Sequence, residues 1–300
     1  MDRFEAMRVF CTVIEAGSFA SAADRLGVST TAVSRHVAQL EALLSVRLIN
    51  RTTRRMRPTD EGFAYFERCT QLLADLEETE ASVSGQSRQP RGRLRLTAPI
   101  ALATLRLAPA FAEFSRRYPE VTLDLLLSDN VADFAEEGLD MAVRVGRVGS
   151  DNLVARRIGE TVVLAAASPA YLKMAGTPAQ PDDLARFVCL TYSYAANGNQ
   201  AEFHGPDGES VQVRYGGPIH SNNGMFLTEM AVADAGIVFA PCFILQPLIA
   251  EGKLIRVLPE WSLRTLPIQV VYPTRRHLSA KVQAMAGFLA EWFARAGGGA

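Results

Sequence analysis

The 300-residue chain lacks several features that mark membrane-bound and secreted proteins. No apolar run approaches the roughly 20 residues that a membrane-spanning helix needs. The first residues, MDRFEAMRVF, lack the apolar segment and cleavage site of a signal peptide. We therefore expect a cytoplasmic protein that has no membrane partner. Lysine is also scarce, with only Lys173, Lys253 and Lys281, so the basic side chains are nearly all arginine, which favours bidentate contacts with phosphate.

Motifs of metal binding and catalysis are missing as well. Cys11, Cys69, Cys189 and Cys242 are scattered without C-x-x-C spacing, which predicts neither a disulfide scaffold nor a zinc site. The four histidines form no ligand cluster, so we expect no metal and no cofactor. The chain has no G-x-S-x-G elbow, P-loop or H-E-x-x-H motif, and an enzyme is therefore the weaker interpretation. Cys189 and Cys242 lie in apolar surroundings and are predicted to be buried structural residues.

Residues 18–62 are predicted to contain two short helices that meet at a tight turn. The first helix, about residues 18–26, ends at Gly27, where a left-handed conformation has no steric cost. Val28 is expected to fill the turn, and Ser29 is a favourable N-cap for the next helix. That helix buries one apolar stripe formed by Val33, Val37, Leu40 and Leu44.

The N-terminal end of the second helix displays small hydroxyls and one arginine. Such residues at a helix tip suit entry into the major groove of DNA, where base edges present donors and acceptors. An ordinary solvated helical hairpin is the alternative. The candidate DNA-contacting residues of this helix are Ser29, Thr30, Thr31, Ser34 and Arg35.

An arginine-rich segment follows the two helices directly. The chain as a whole is nearly neutral, with 31 basic and 32 acidic residues, but residues 46–58 contain five arginines and no acidic residue. Residues 50–55 are predicted to form the turn of a short β-ribbon, or wing. Arginine and threonine in such a turn can contact phosphates or the minor groove. The candidate residues of the wing are Arg51, Thr53, Arg54 and Arg55.

The order SFASAADRLGVSTTAVSRHVAQLEALLSVRLINRTTRRMRPTDEG resembles the DNA-binding segment of LysR-type transcriptional regulators. The match is dense over the first quarter of the chain and looser over the remainder, which resembles that family's ligand-sensing domain. The resemblance implies an α/β protein overall. The resemblance further implies three parts: a winged helix-turn-helix domain (all-α with a β wing) in residues 1–58, a linker helix and hinge in residues 59–91, and an effector-binding domain in residues 92–300.

The linker helix, predicted from Thr59 to about residue 84, repeats apolar residues at coiled-coil spacing, and Glu80 interrupts the repeat. We expect a dimer seam here, mainly because of the family resemblance; packing of the helix on its own domain is the alternative. The proposed seam consists of Phe66, Cys69, Leu73, Leu76 and Val83. The polar segment GQSRQPRG at residues 85–92, with glycine at both ends, is predicted to be a hinge.

From residue 93 the pattern alternates between strands and helices. This alternation predicts a parallel sheet covered on both faces. Predicted elements include strands at 93–97, 121–127 and 140–146, a helix from Pro99 to about Tyr118 and a short helix at 131–138. Two α/β lobes of this kind resemble the type-2 periplasmic-binding-protein fold that the family uses as its sensor. We place lobe I at about 92–161 and 266–300, and lobe II at about 162–265.

Ligands of open α/β sheets collect beyond the carboxyl ends of the strands, near helix N-termini. Three junctions qualify, at residues 97–100, 144–147 and 221–224. Thr97 adds a hydroxyl to a helix N-terminus that suits a carboxylate, unless it only caps that helix. Arg144 binds an anion, or forms a structural salt bridge with Asp140 or Asp129. The candidate effector-binding residues are Thr97, Ala98, Pro99, Ser128, Arg144, Gly146, Ser193 and Asn223.

The sequence and the resemblance together predict a sequence-specific DNA-binding transcriptional regulator. Its expected partners are operator DNA, a small-molecule effector for which a carboxylate is one candidate, a second or further copies of the chain in a dimer or tetramer, and RNA polymerase. Two alternatives to this interpretation are an enzyme and an architectural protein that binds DNA without a small-molecule ligand.

Overall fold

The structure, a computed structural model, describes residues 2–51, 56–84, 89–130, 138–146, 153–195, 198–274 and 278–295. It divides into two compact units, Met1–Arg88 and Gln89–Ala300. The division falls inside the glycine-flanked segment 85–92. Among the described residues, no helix combines the length and the apolar character that crossing a membrane requires.

The described part of the first unit contains four helices and a two-stranded antiparallel ribbon. Its elements are α1 (Arg3–Ala16), α2 (Phe19–Leu26), α3 (Thr30–Leu44), β1 (Ile49–Arg51), β2 (Met56–Pro58) and α4 (Asp60–Ser84). Ile49 pairs with Pro58 and Arg51 with Met56 across the ribbon, which confirms the predicted wing. The turn at 52–55 lies outside the described residues.

Local sequence signals define the helix boundaries of this unit. The Ser18 hydroxyl accepts a hydrogen bond from the Ser21 amide and caps α2, which ends at Gly27 in the left-handed region at φ 67°. The Ser29 hydroxyl accepts from the Ala32 amide at 3.2 Å and caps α3. The prediction that Val28 fills the turn is wrong, because its side chain is 46% exposed. The turn is instead closed by the backbone, through the Val28 amide and the Ala23 carbonyl at 3.1 Å.

The core of the first unit extends to α4. Val33, Val37 and Leu40 of α3 are fully buried, as the sequence predicts, and they pack with Phe10 and Val13 of α1. The core also includes Cys69 and Leu73 of α4. The expectation that the isolated domain leaves these two residues for a partner helix is therefore wrong. The spacing that suggested a coiled coil is the spacing of a helix that packs on its own domain.

The second unit is a mixed α/β structure. Its elements are β3 (Gly92–Ala98), α5 (Ile100–Leu102), a π-helical segment (Ala103–Leu107), α6 (Ala108–Arg117), β4 (Val121–Leu127), β5 (Met141–Val145), β6 (Leu153–Ala167), α7 (Pro169–Ala175), a 3-10 helix (Pro181–Arg186), β7 (Cys189–Tyr192), β8 (Gln200–His204), β9 (Ser210–Arg214), β10 (His220–Ser221), α8 (Gly224–Val232), β11 (Ile237–Pro241), α9 (Cys242–Ala250), β12 (Ile255–Arg256), β13 (Thr265–Pro273) and α10 (Ala280–Arg295).

The predicted helix from Pro99 to Tyr118 is interrupted by the π-helical segment. Pro109 has no backbone N–H to donate to the carbonyl of Leu105, so an unbroken α-helical ladder cannot pass this point. The predicted helix at 131–138 lies almost wholly outside the described residues.

The main sheet of this unit is mixed rather than parallel, which corrects the expectation. In the described residues its strand order is β10-β7-β11-β6-β13-β5-β3-β4, and β12 also pairs with β6. The strands β3, β4 and β5 are parallel, as are β7, β10 and β11, but β13 runs antiparallel to both β5 and β6. Alternation of strands and helices indicated the parallel sets and gave no signal for the antiparallel direction of β13.

Strand β6 joins the two halves of the sheet. Leu153 to Val162 pair with β13, whereas Val163 to Ala166 pair with β11. The part of β6 before Val162 was not predicted as a strand. Since β3, β4 and β5 are parallel, their carboxyl ends meet at one edge of the sheet, close to this change of partner.

Candidate functional site

The tip of α3 presents polar side chains to solvent. Thr30, Thr31 and Arg35 are exposed, and Ser34 is partly exposed. Ser29 lies at the same end, but its hydroxyl is already engaged as the cap of α3. The opposite side of α3 is anchored by the apolar stripe in the core. The helix therefore presents a fixed row of hydroxyls and one guanidinium.

The wing is held against α3 by a residue that the sequence reasoning missed. One oxygen of the Glu41 carboxylate, Oε1, accepts hydrogen bonds from the backbone amides of Leu48 at 2.9 Å and Ile49 at 3.1 Å. Leu48 and Ile49 are buried, so their amides need partners within the protein. Glu41 thus fixes the start of β1 relative to α3. A glutamate on an amphipathic helix carries no sequence signal for such a role.

The other end of the wing is joined to α4 by Thr59 and Gly62. The Thr59 hydroxyl donates to the carbonyl of Arg47 at 2.7 Å and accepts from the amide of Gly62 at 2.9 Å. A Cβ atom at Gly62 would stand 1.9 Å from the carbonyl oxygen of Leu48, so only glycine allows this close approach. These bonds fix the outer ends of the two wing strands against α3 and α4.

The arginines of this surface are partly described. Arg47 and Arg57 are exposed, and Arg51 pairs with Met56 through its backbone in the ribbon. The predicted contact residues Thr53, Arg54 and Arg55 lie outside the described residues, as does the side chain of Arg51. The arrangement can contact a polyanion with the wing while the α3 tip meets base edges.

In the second unit, the first two predicted junctions come together. Thr97, at the end of β3, is fully buried, and its hydroxyl accepts a hydrogen bond from the Arg144 guanidinium at 3.4 Å. Arg144 is 9% exposed and also donates to the carbonyls of Asn130 at 3.1 Å and Val143 at 3.0 Å. A buried guanidinium is thus held at the carboxyl edge of the sheet.

The helix N-terminus beside Thr97 already has an anionic partner. The carboxylate of Asp129 accepts a hydrogen bond from the Ile100 amide at 3.2 Å, and the N-cap residue Pro99 provides no side-chain cap. The alternative that Thr97 caps this helix is therefore wrong, and the first amide is not free for an effector. Burial raises the pKa of Asp129, while the Ile100 amide and the Arg144 charge act in the opposite direction.

Asp140, the other carboxylate of the salt-bridge alternative, contacts Arg95 and Lys281. Its carboxylate accepts from the Arg95 amide at 2.9 Å and lies 3.7 Å from the Lys281 ammonium, with both side chains nearly buried. This is a structural ion pair between β5 and α10.

Tyr192 brings the second half of the sheet to the same place. It ends β7 and is half-buried; burial and the nearby Asp129 carboxylate raise the pKa of its hydroxyl, and the Arg144 charge lowers it. The ring of Tyr192 contacts Tyr194 edge-on with centroids 6.0 Å apart. Neither tyrosine was among the predicted site residues, although both stand at a strand end.

The remaining predicted residues differ in exposure and in hydrogen bonding. Ser128 is partly exposed and accepts from the Asn130 amide, Ser193 is exposed, and Asn223 uses its side chain to cap α8 at 2.9 Å from the Phe226 amide. Ala98 is buried and Pro99 is half-buried. Gly146 has φ +92° and donates from its amide to the carbonyl of Pro267 at 2.8 Å.

Gln269 adds a buried polar atom to this edge. It is the direct partner of Arg144 in the antiparallel pair of β13 and β5, so the two side chains lie on one face of the sheet. Its Oε1 atom is buried, and no hydrogen-bond partner for it occurs among the described residues. Unsatisfied buried acceptors are rare in proteins and indicate a place where a donor can bind.

Cys189 and Cys242 are buried, as predicted. Burial raises the pKa of Cys189 to about 12, and the Cys242 sulfur lies 3.6 Å from the hydroxyl of Thr161. No group of three or more histidine, cysteine or acidic side chains in the described residues could hold a metal ion.

Two family models match the chain, and together they span most of it. Residues 4–63 match the bacterial regulatory helix-turn-helix protein of the lysR family, and residues 87–294 match the LysR substrate binding domain.

Individual relatives cover nearly the whole chain. A helix-turn-helix-type transcriptional regulator of Haemophilus influenzae is 38% identical over 283 residues, which are 94% of this chain and 98% of that protein. A transcriptional repressor of Pseudomonas aeruginosa is 35% identical over 98% of this chain and 93% of its own length. The solved structure of CrgA, a LysR-type transcriptional regulator from Neisseria meningitidis, matches with a TM-score of 0.60 and 32% identity, covering 96% of this chain and 97% of that one.

Proposed function

The chain belongs to the LysR family of transcriptional regulators and carries that family's effector-binding domain, and we propose that it binds a specific operator and responds to a small carboxylate held at the Thr97–Arg144 cluster. The observation that supports operator binding most directly is the α3 tip, which is exposed, hydroxyl-rich and rigidly joined to an arginine-containing wing.

In this proposal the α3 tip reads base edges. Arg35 donates two hydrogen bonds to a guanine, and Thr30, Thr31 and Ser34 contact neighbouring bases or phosphates. The wing arginines, including Arg51, Arg54 and Arg55, add sequence-independent contacts with the backbone. The Ser29 hydroxyl serves the helix cap rather than the DNA.

We further propose that two copies bind together, since one winged module supplies limited affinity and two half-sites multiply it. Phe63 and Leu72 support α4 as the contact, because both are apolar and more than half exposed in the single chain. They replace Cys69 and Leu73 as the proposed dimer residues. The family resemblance also leads us to expect a dimer or a tetramer, and a contact with RNA polymerase.

The effector proposal rests on Arg144. Its positive charge is buried at the carboxyl edge of the sheet, where it would attract a carboxylate. Gln269 Oε1 would accept from a hydroxyl or amine of the same effector, and Tyr192 would contact it from the second half of the sheet. A ligand that bridges lobe I (92–161 and 266–300) and lobe II (162–265) favours their closed arrangement by its differential affinity.

These roles do not include catalysis. The cluster combines an arginine, a threonine and an aspartate that is engaged with a helix N-terminus, which suits binding rather than chemistry. Because the operator is chromosomal DNA, we place the protein in the cytoplasm.

A thermal-shift screen of the full chain with small carboxylates tests the effector proposal. The carboxylate that raises the melting temperature should bind Thr97→Val about 5- to 150-fold more weakly, since the loss of one hydrogen bond at a buried site costs about 1–3 kcal/mol. Thr122→Val, an exposed threonine at the start of β4, is the matched control and should bind like wild type. Equal affinities of Thr97→Val and wild type would place the effector elsewhere.

A further inference from the structure

Gln269 stands between two arginines on one face of the main sheet. It pairs directly with Arg144 of β5 on one side and with Arg157 of β6 on the other. Direct partners in antiparallel strands carry their side chains on the same face, with Cβ atoms about 4.5–5.5 Å apart. Thr97 belongs to this face as well, because it pairs with Ala142, two residues before Arg144. A row of Arg144, Gln269 and Arg157 thus crosses three strands beside Thr97.

The side-chain carbonyl of Gln269 has no hydrogen-bond donor within the part of the chain that the structure describes, although its Oε1 atom is buried. The Arg144 guanidinium donates to the Thr97 hydroxyl and to two backbone carbonyls. The Arg157 guanidinium is paired with the Glu160 carboxylate. A buried acceptor without a donor is unfavourable, so a ligand that brings one donor to Oε1 gains free energy there.

The charges beside Oε1 favour a neutral donor over a cation. Arg144 is 9% exposed and is the direct neighbour of Gln269, so its positive charge is poorly screened by water at this place. The carboxylate of Asp129 accepts a hydrogen bond from the Ile100 amide. An ammonium group at Oε1 would be repelled by Arg144, and it would bring two further N–H donors that need partners. A hydroxyl is uncharged and has one proton to donate.

On the basis of the effector site proposed above, we propose that the effector is a hydroxycarboxylate and that Gln269 selects it. The carboxylate lies at Arg144, and the hydroxyl donates to Gln269 Oε1. Because the two side chains of a direct pair lie close together, the hydroxyl is on the first or second carbon from the carboxylate group. Gln269 is then a specificity-determining residue, since an acid without the hydroxyl leaves Oε1 unsatisfied.

Calorimetric titration of the full chain with matched acids tests the proposal. One series is butyrate, its 2-, 3- and 4-hydroxy derivatives and 2-aminobutyrate; a larger series is phenylacetate, mandelate and phenylglycine. The 2-hydroxy or 3-hydroxy acid should bind about 5- to 150-fold more tightly than the plain acid of its series, the equivalent of about 1–3 kcal/mol for one hydrogen bond. The amino acids and 4-hydroxybutyrate should bind no more tightly than the plain acids.

A variant of Gln269 tests its role in selection. Gln269→Met keeps a side chain of similar length but removes the carbonyl acceptor. In this variant the hydroxy acid should bind like the plain acid, and the affinity for the plain acid should stay near that of wild type. Gln212→Met changes an exposed glutamine of β9 and is the matched control, which should keep the wild-type preference.

The outcomes separate this proposal from the effector site on which it rests. If plain and hydroxy acids bind wild type equally but both bind Thr97→Val more weakly, the site stands and the hydroxycarboxylate proposal is overturned. A preference that persists in Gln269→Met would also overturn it, because the hydroxyl is then bound elsewhere. Equal binding of every acid to Thr97→Val and wild type, or no binding of any acid, would overturn both. If Gln269→Met fails to fold, the comparison of acids on the wild-type chain decides.

Discussion

Removal of the Glu41 carboxylate is expected to release the wing from α3. In the structure a single oxygen of Glu41 accepts two backbone hydrogen bonds, from Leu48 at 2.9 Å and from Ile49 at 3.1 Å. Both donors belong to residues that are 1–2% exposed, so the start of β1 is anchored in the core beside Glu41. Glu41→Ala therefore leaves two amide donors unsatisfied at the start of β1.

The magnitude follows from the type of bond. A hydrogen bond to a charged group contributes about 1.5–3 kcal/mol, and two bonds that share one oxygen add less than twice that amount. We expect Glu41→Ala to destabilise the wing by about 2–4 kcal/mol. Glu41→Gln keeps a neutral acceptor at the same position and should lose roughly half as much.

Hydrogen–deuterium exchange of the full chain measures the effect at the two amides themselves. The peptide that contains Leu48 and Ile49 should exchange about 30- to 1000-fold faster in Glu41→Ala, as 2–4 kcal/mol implies, while the peptides of α1 change little. Glu67→Ala removes an exposed carboxylate from α4 and is the matched control. Unchanged protection of the two amides in Glu41→Ala would refute the role of Glu41 as the anchor of the wing.

Three further outcomes are expected. Arg57→Ala should weaken binding to all DNA sequences alike and reduce the slope of log affinity against log salt concentration by about one. The control variant Arg116→Ala, on α6, should leave the slope unchanged. Equal slopes for both variants would mean that Arg57 makes no phosphate contact. Leu72→Asp should sediment as a folded monomer. The variant should fold because Leu72 is 52% exposed on α4, whereas its neighbour Leu73 is 8% exposed and belongs to the core. Sedimentation as the wild-type oligomer would exclude this side of α4 as the dimer interface. Burial raises the pKa of Asp129, and below that pKa its carboxyl group is neutral and no longer repels a carboxylate effector. The effector should therefore bind more tightly as the pH falls through this pKa, and Asp129→Asn should remove the dependence. Calorimetric titrations with the same pH dependence in both proteins would contradict the placement of the effector beside Asp129.

The raised pKa of Asp129 also determines how the free energy of unfolding depends on pH. The folded pKa of Asp129 lies above its unfolded value, so the folded state binds more protons between the two values. The free energy of unfolding should therefore decrease as the pH rises through that interval, starting near pH 3.8. Asp129→Asn should make this decrease smaller.

Local sequence signals predicted the parts of the fold that local physics controls. Ser18, Gly27 and Ser29 define the ends of α2 and α3 through hydrogen bonds within a few residues, and the sequence shows each of them directly. Cys69 and Leu73 show the limit of such reasoning. Their spacing indicates a buried stripe on α4 but not the surface that covers it, and α1 of the same chain covers it rather than a second copy.

The candidate sites depend more on contacts between distant residues. Glu41 meets Leu48 across a turn, and Asp129 meets Ile100 across 29 positions, so neither role has a periodic or motif signal. Thr97 and Arg144 were found separately because each stands at the end of a predicted strand; their hydrogen bond follows from the parallel order of β3 and β5. Gln269 was missed because its importance arises from an antiparallel pairing with β5 that strand–helix alternation does not predict.

A footprint of the Arg35→Ala variant beside that of the wild-type protein tests the central claim most directly. On DNA upstream of its own gene and the neighbouring genes, wild-type protein should protect a discrete site composed of two half-sites. Arg35→Ala should lose that protection, since the loss of a bidentate base contact costs about 1–3 kcal/mol in each half-site, but should still retard DNA of any sequence through the wing. If Arg35→Ala gives the wild-type footprint at the wild-type concentration, α3 does not read the operator and the account is wrong.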